Sequence, residues 1–455
     1  VVIMQERVSA TAVAVVSLFV FSTGLEVRAQ TPNPSSSSQP VLSHTAPRRD
    51  DGPPLALADA VAEALARNPD LVALRQQIVV ERQRPAQARA LDPPMAEATI
   101  WQWPVNTLNP ANTNMYMFML GQQLPGRGKR ELRAAVVEKD AALAEADVAI
   151  RTREIVGQVK HAYAELFIAR RAIDVHLASV DLLRQLTDVS QAKYTTGRIS
   201  QQDVLKPVVE LSKLHADIIM FDEQTRIATA RLNILRDRPP ESPIGLLTEP
   251  QADRSLPATA DLQQMAIDHH PELQKARVAT ERAEAELASA KREYAPDFSV
   301  QGGYMLLPNQ TDGVLGRIGI TWPRAPWSRS KVDAHVAELS AAVDAAKARA
   351  RAMENVIRLA VQEAYVRATA AQERVALLST TLLPQSDQAL QVSRVAYQTD
   401  RVDFQTVIDN QRTLLAAQLD RVRALSDFTQ ALADLEQAVG IDLSIGRPIA
   451  SHEEN

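Results

Sequence analysis

The feature that most constrains this chain is that it is written twice. Asn68-Pro69-Asp70-Leu71 returns as His270-Pro271-Glu272-Leu273, and Lys129, just after Leu124-Pro125-Gly126, returns as Lys331 after Trp322-Pro323. His161-Ala162-Tyr163 returns as Glu363-Ala364-Tyr365, and Tyr194-Thr195-Thr196-Gly197-Arg198-Ile199 returns as Tyr397-Gln398-Thr399-Asp400-Arg401-Val402. The offset holds at about 202 to 203 residues, so two copies of one plan run in step. The first copy spans 55–249, the second 250–440, and 441–455 forms a C-terminal tail.

Each copy predicts the same order of elements. A short helix (55–66; 258–269) is stopped by the x-Pro pair, and a second helix follows (70–92; 272–294). After a segment of different character (95–124; 296–323) come a very long helix (127–194; 328–396), a turn, and another long helix (200–236; 402–439). In the first long helix Leu132, Val136, Leu143, Ala146 and Ile150 recur at three/four spacing. The phase breaks near Arg151–Gly157 and resumes at Val159, Tyr163, Leu166, Ile173, Leu177 and Val180. A period near 3.5 residues describes coiled-coil seams rather than a globular amphipathic face. Composition agrees: 45% of residues are apolar but only 4% aromatic, so Ala, Leu and Val must pack long helices closely. The expected fold is mainly α, built on coiled coils, with a small β part.

The non-helical segments hold all four Trp residues, Trp101, Trp103, Trp322 and Trp327, together with Tyr116, Phe118, Phe298 and Tyr304. In the second copy Phe298, Val300, Gly302, Tyr304 and Leu306 alternate with Ser299, Gln301, Gly303 and Met305, and Ile318, Ile320 and Trp322 alternate likewise. Strands are predicted at 96–105, 115–123, 297–307 and 314–322, with the pattern of transmembrane β-hairpins. A soluble hairpin capping a helical bundle is the plain alternative. Four strands cannot close a barrel, and an open edge is not tolerated in lipid, so membrane strands would require several chains to share one barrel. Met115, Met117 and Met119 share one strand face, opposite Tyr116, Phe118 and Leu120. If the aromatic face meets lipid, these methionines and Met305 look inward, where thioethers suit a soft ion such as Cu(I); Met as adaptable filler is the bland alternative.

Several function classes drop out. There is no cysteine, hence no disulfide, thiol nucleophile or Cys-ligated metal. The formal charge of −5 offers no basic footprint for nucleic acid. Gly126-Arg127-Gly128-Lys129-Arg130 lacks the earlier Gly and the Ser/Thr of a phosphate loop, and no HExxH spacing occurs. No cofactor site and no acid, base and nucleophile constellation is visible, so the chain reads as a non-enzyme without its own energy source. Val8–Leu25, preceded by Arg7 and followed by Val27-Arg28-Ala29, reads as a secretory signal over 1–29, an N-terminal membrane helix being the alternative. Residues 30–54 read as a disordered Pro/Ser-rich linker.

With the duplication, the paired x-Pro-x-Leu motifs and Tyr194–Leu205 (Tyr-x-x-Gly-x-x-x-x-x-Asp-Val-Leu), the chain resembles the outer-membrane efflux channel family, the TolC-type outer-membrane factors. The run Gln122–Arg130 resembles its heavy-metal resistance branch. The resemblance implies a homotrimer with a twelve-stranded barrel in outer-membrane lipid and a helical tunnel in the periplasm. Its partners would be a periplasmic adaptor and an inner-membrane pump, often proton-driven, of the RND type. Trp101, Trp103, Tyr116, Phe118, Phe298, Tyr304 and Trp322 would stand at the membrane interface. The turns at the far helix ends would form the closed periplasmic entrance or the adaptor dock, with Tyr194, Gly197, Arg198, Asp203, Tyr397, Asp400, Arg401, Asp403 and Asp409. There Asp409 and Asp403 would form a cation-attracting ring, and Arg198 and Arg401 would pair with them. Asp400 departs from the family's Gly. A periplasmic adaptor, a single helical hairpin flanked by β-rich modules, is the alternative function.

Overall fold

The computed structural model describes residues 52–102, 105–106, 109, 112–250, 255–308 and 310–443. The signal segment, nearly all of the linker, Trp103 and the tail past 443 lie outside the described residues.

The first copy runs α1 (Leu57–Arg67), α2 (Pro69–Arg89), β1 (Met95–Trp101), β2 (Met115–Leu124), α3 (Lys129–Thr195) and α4 (Gln201–Leu235). The second runs α5 (Thr259–His269), α6 (Pro271–Arg292), β3 (Asp297–Leu306), β4 (Gly313–Thr321), α7 (Arg329–Leu377), α8 (Leu383–Gln398) and α9 (Phe404–Val439). The duplication is therefore repeated in the elements. It is also repeated in the caps. Pro69 and Pro271 each begin a helix, where a missing N–H costs nothing. The side chain before each proline caps that helix: Asn68 accepts from the Asp70 N–H at 3.0 Å and His270 from the Glu272 N–H at 3.2 Å.

The 67 residues of α3 extend about 100 Å at 1.5 Å per residue. Such a helix outruns any single partner, so its neighbours change along its length. Near its start Arg82–Glu145 ties it to α2, and Arg282–Asp140 and Lys275–Asp147 tie it to α6. Further on Arg231–Glu165 ties it to α4, and Lys160–Glu436 and His161–Asp434 tie it to α9. The sequence-level phase break near Arg151–Gly157 falls where this exchange occurs. The seam shifts there to present Ile155, Val156 and Val159, all buried, to a new set of helices.

One predicted helix differs in detail. The run expected over 328–396 is interrupted by a π-helical turn, Leu378–Leu382, between α7 and α8. Pro384 is the physical reason. Its ring removes one N–H and crowds the preceding carbonyls, and a π turn widens the helix enough to pass it without breaking.

The strands form one antiparallel sheet in the order β1-β2-β3-β4. No helix among the described residues is long and apolar enough to cross a membrane.

Candidate functional site

In an antiparallel ladder directly opposed residues point to the same side, so the register sorts the sheet into two faces. Phe118 stands opposite Tyr304, Leu124 opposite Phe298, Phe298 opposite Ile320, and Val300 opposite Ile318. With Ile100, Tyr116, Leu120, Leu306 and Val314 they make one face that is apolar almost throughout, and most of its side chains are exposed. Trp322 follows one residue past β4 and is 60% exposed. The other face pairs Gln123 with Ser299, Gln301 with Arg317, and Asp297 with Thr321. Met115, Met117, Met119 and Met305 lie on this polar face, on the side expected. Trp101 does not join the aromatic face: its register opposite Met115 sets it on the polar side, where the sequence reading had grouped it with Tyr116 and Phe118.

At the far helix ends the two turns share one backbone design. Gly197 (φ +69) and Asp400 (φ +58) both adopt the left-handed conformation. The following residues donate back across the turn, Arg198 N–H to the Lys193 carbonyl at 3.0 Å and Arg401 N–H to the Ala396 carbonyl at 2.9 Å. Asp is among the few residues that accept this conformation, so the departure from Gly leaves the turn intact.

The departure also adds a contact. The Asp400 carboxylate receives Lys193 Nζ at 2.6 Å and stands 3.5 Å from Arg198 Nη1. Lys193 Nζ also donates to the Tyr397 carbonyl at 2.5 Å and lies 4.0 Å from the centre of the Tyr397 ring. Sequence reasoning missed Lys193 because the matching position of the second copy is Ala396 and no motif marks it. The Asp400 carboxyl is held below the usual carboxylate range, first by the Lys193 hydrogen bond and charge, then by Arg198. Tyr397 is buried against Phe404, ring centres 5.5 Å apart, whereas its counterpart Tyr194 is exposed.

The expected arginine partners differ. Arg198 meets Asp400, not Asp403 or Asp409, and Arg401 makes no ion pair among the described residues. Asp403 caps α9, accepting from the Thr406 N–H at 2.9 Å. Asp409 accepts from Gln405 at 3.0 Å and lies 3.4 Å from Arg412. Asp203 accepts from Ser200 Oγ at 2.9 Å and pairs with Lys206 at 3.3 Å. A link between the hairpins that sequence reasoning missed is Arg412 on α9, whose Nη2 reaches Glu210 on α4 at 2.5 Å.

Two helix faces lack a partner among the described residues. Val208, Val209, Ile219 and Ile227 are exposed on α4, and Val356, Leu359, Val366 and Leu377 on α7. Exposed apolar stripes on packed helices mark contact surfaces.

Residues 60–235 match the outer membrane efflux protein family. No curated protein matches the sequence. Among solved structures, VceC from Vibrio cholerae shares 19% identity at a TM-score of 0.69, over 84% of this chain and 96% of that one. The MtrE outer membrane channel of Neisseria gonorrhoeae, solved in an open state, shares 17% at 0.70 over 84% and 88%. CusC shares 15% at 0.72 over 84% and 91%. A likeness to a periplasmic adaptor finds no support in this fold, which among the described residues has two helical hairpins and a single four-stranded sheet. The chain has the fold of the solved outer-membrane efflux channels, and its residues 60–235 match the outer membrane efflux protein family.

Proposed function

We propose that the protein is the outer-membrane exit duct of a tripartite efflux system, a homotrimer with a shared twelve-stranded barrel in the membrane and a helical tunnel in the periplasm. The observation that carries this reading is the sheet. One face is apolar and open, and both outer edges, on β1 and β4, are unpaired among the described residues. Each unsatisfied backbone group costs several kcal/mol in hydrocarbon, so such a sheet enters lipid only by pairing its edges with sister chains. The apolar stripes on α4 and α7 give those sister chains a matching helical surface. The apolar face meets lipid, and Tyr116, Phe118, Phe298, Tyr304 and Trp322 serve as interface aromatics.

The duct is passive. The family and the matched structures are channel proteins rather than enzymes. A periplasmic adaptor and an inner-membrane pump of the RND type supply substrate and energy. The turns around Lys193, Gly197, Arg198, Asp400 and Arg401 form the periplasmic entrance or adaptor dock, and Asp403 and Asp409 add threefold-repeated carboxylates that draw cations to it.

Fractionation tests this. Outer membranes washed with high salt and then carbonate should retain the protein, detergent should release it, and cross-linking should give a trimer. Release by salt as a monomer would sink the reading.

A further inference from the structure

Five of the nine methionines lie on the four strands: Met95, Met115, Met117, Met119 and Met305. The register puts all five on the polar face and none on the apolar one. Apolar filler belongs in a core or against lipid, so packing does not explain this one-sided placement. Three of the five are neighbours across the β2–β3 ladder. Met117 stands directly opposite Met305 across the β2–β3 ladder, with side-chain roots about 5 Å apart at that register. Met119, next along the same face of β2, lies opposite Gly303, and its sulfur occupies the space a Cβ there would take. The missing side chain thus lets the Met119 thioether lie over β3, two residues from Met305. Gly313, opposite Met305, leaves similar room, with the Met305 methyl 3.0 Å from its Cβ position. Glu97, opposite Met119, adds a negative charge on the same face.

We propose that Met117, Met119 and Met305 form a thioether site for a soft monovalent cation, Cu(I) or Ag(I), on the inner wall of the duct. The assignment of this wall to the duct interior rests on the function proposed above. Thioether sulfur prefers such ions over Zn(II), Ca(II) or Mg(II), and it does not titrate, so binding releases no proton. Among the described residues no group of His, Asp and Glu is placed to hold a metal ion. Three soft, neutral ligands on flexible stems bind and release readily, as a conduction path requires.

The test is Ag(I) titration of the full chain purified in detergent, followed by calorimetry and by metal content after gel filtration. Wild type should bind one Ag(I) per chain, equally at pH 5.5 and 7.5, and ignore Zn(II). Met117→Leu with Met305→Leu keeps side-chain volume. Second-sphere changes alone cost 10–100-fold in metal affinity, so losing two ligands should weaken Ag(I) binding by about 100-fold or more. Met220→Leu on α4, away from the sheet, should change nothing. No stoichiometric binding by wild type, or equal binding by the double variant, overturns the site. The strand pairing lies within one chain, so this readout holds whether or not trimers form. Oligomeric state, recorded on the same samples, bears only on the duct reading.

Discussion

Lys193 Nζ stands 2.6 Å from the carboxylate of Asp400, so the turn closing one hairpin is tied to the turn closing the other. Asp400→Asn keeps a residue tolerant of the left-handed turn and removes the charge, and Lys193→Met removes the donor with little change in bulk. Both should loosen the helix ends and raise single-channel conductance in planar bilayers. The Asp400 carboxyl is depressed by Lys193 and Arg198, so the tie is complete above the ordinary carboxylate range and is lost only as pH falls through the lowered value. Wild-type conductance should therefore rise on strong acidification, and Asp400→Asn should lack that rise. Unchanged conductance in both variants would show that this bridge does not hold the tip.

The Lys160–Glu436 pair joins α3 to α9, with both residues buried. Burial pushes the Glu436 carboxyl up while Lys160 draws it down. Lys160→Met leaves a buried carboxylate without its cation and should cost about 3–5 kcal/mol, most at high pH, where Glu436 must ionise. Lys160→Met with Glu436→Leu should recover part of that loss, because it removes the Glu436 charge but leaves the Asp442 carboxylate that Lys160 also faces at 3.9 Å. Thermal melting of the detergent-solubilised assembly measures both.

His270 caps α6 through Nδ1, which must be unprotonated to accept the Glu272 N–H. Burial and the nearby Arg153 charge pull its pKa from 6.5 to about 4. The unfolded chain thus binds the proton first as pH falls, so stability is lost between about pH 6.5 and 4. With discount for its partial exposure, the loss is about 1–2 kcal/mol. The first copy supplies the test, since Asn68 makes the same cap without titrating. His270→Asn should keep stability at neutral pH and flatten its decline on acidification. His161 runs the other way. Its hydrogen bond to Asp434 at 2.8 Å raises its pKa, so its contribution is full below pH 6.5 and fades as pH rises through the raised value. His270→Asn should leave that alkaline fade in place.

The legible parts of the fold were those with local causes. Pro69 and Pro271 mark helix starts, Gly197 and Asp400 mark turns, and the alternation from Phe298 to Leu306 marks a strand with two unlike faces. Pro384 stands in plain view in the sequence, but a proline alone does not say whether a helix breaks, kinks or passes it through a π turn. What escaped depended on long-range placement. Lys193 and Lys160 sit in ordinary helical sequence, and their partners Asp400 and Glu436 lie some 200 residues or more away, beyond any local pattern. Trp101 ends a strand whose face is set only by pairing with Met115. Lys129 and Lys331 match in sequence yet differ in role. Lys129 is buried against Asp297 at 2.9 Å, whereas Lys331 is exposed.

Val300 and Gln301 are neighbours in β3 that point to opposite faces, and in the proposed duct a one-residue step in the strand exchanges lipid for lumen. Val300→Lys sets an ammonium among Phe298, Ile318 and Ile320, opposite the neutral amide of Gln122 and with no carboxylate on that register to neutralise it. A lysine facing lipid near the bilayer midplane costs about 2–4 kcal/mol. Gln301→Lys adds the same charge beside Arg317 on the wet face, where solvent and salt screen the repulsion within about 8–10 Å. Trimer yield on insertion into lipid vesicles should therefore drop for Val300→Lys and stay near wild type for Gln301→Lys. Equal losses would mean that both faces are packed against protein, and an intact trimer with Val300→Lys would mean that its face never meets hydrocarbon. A neutral comparison comes from Gly316 on the same apolar face, where an added Cβ meets open space. Gly316→Ala should insert as well as wild type, so that a loss with Val300→Lys reports the charge rather than any change to that surface.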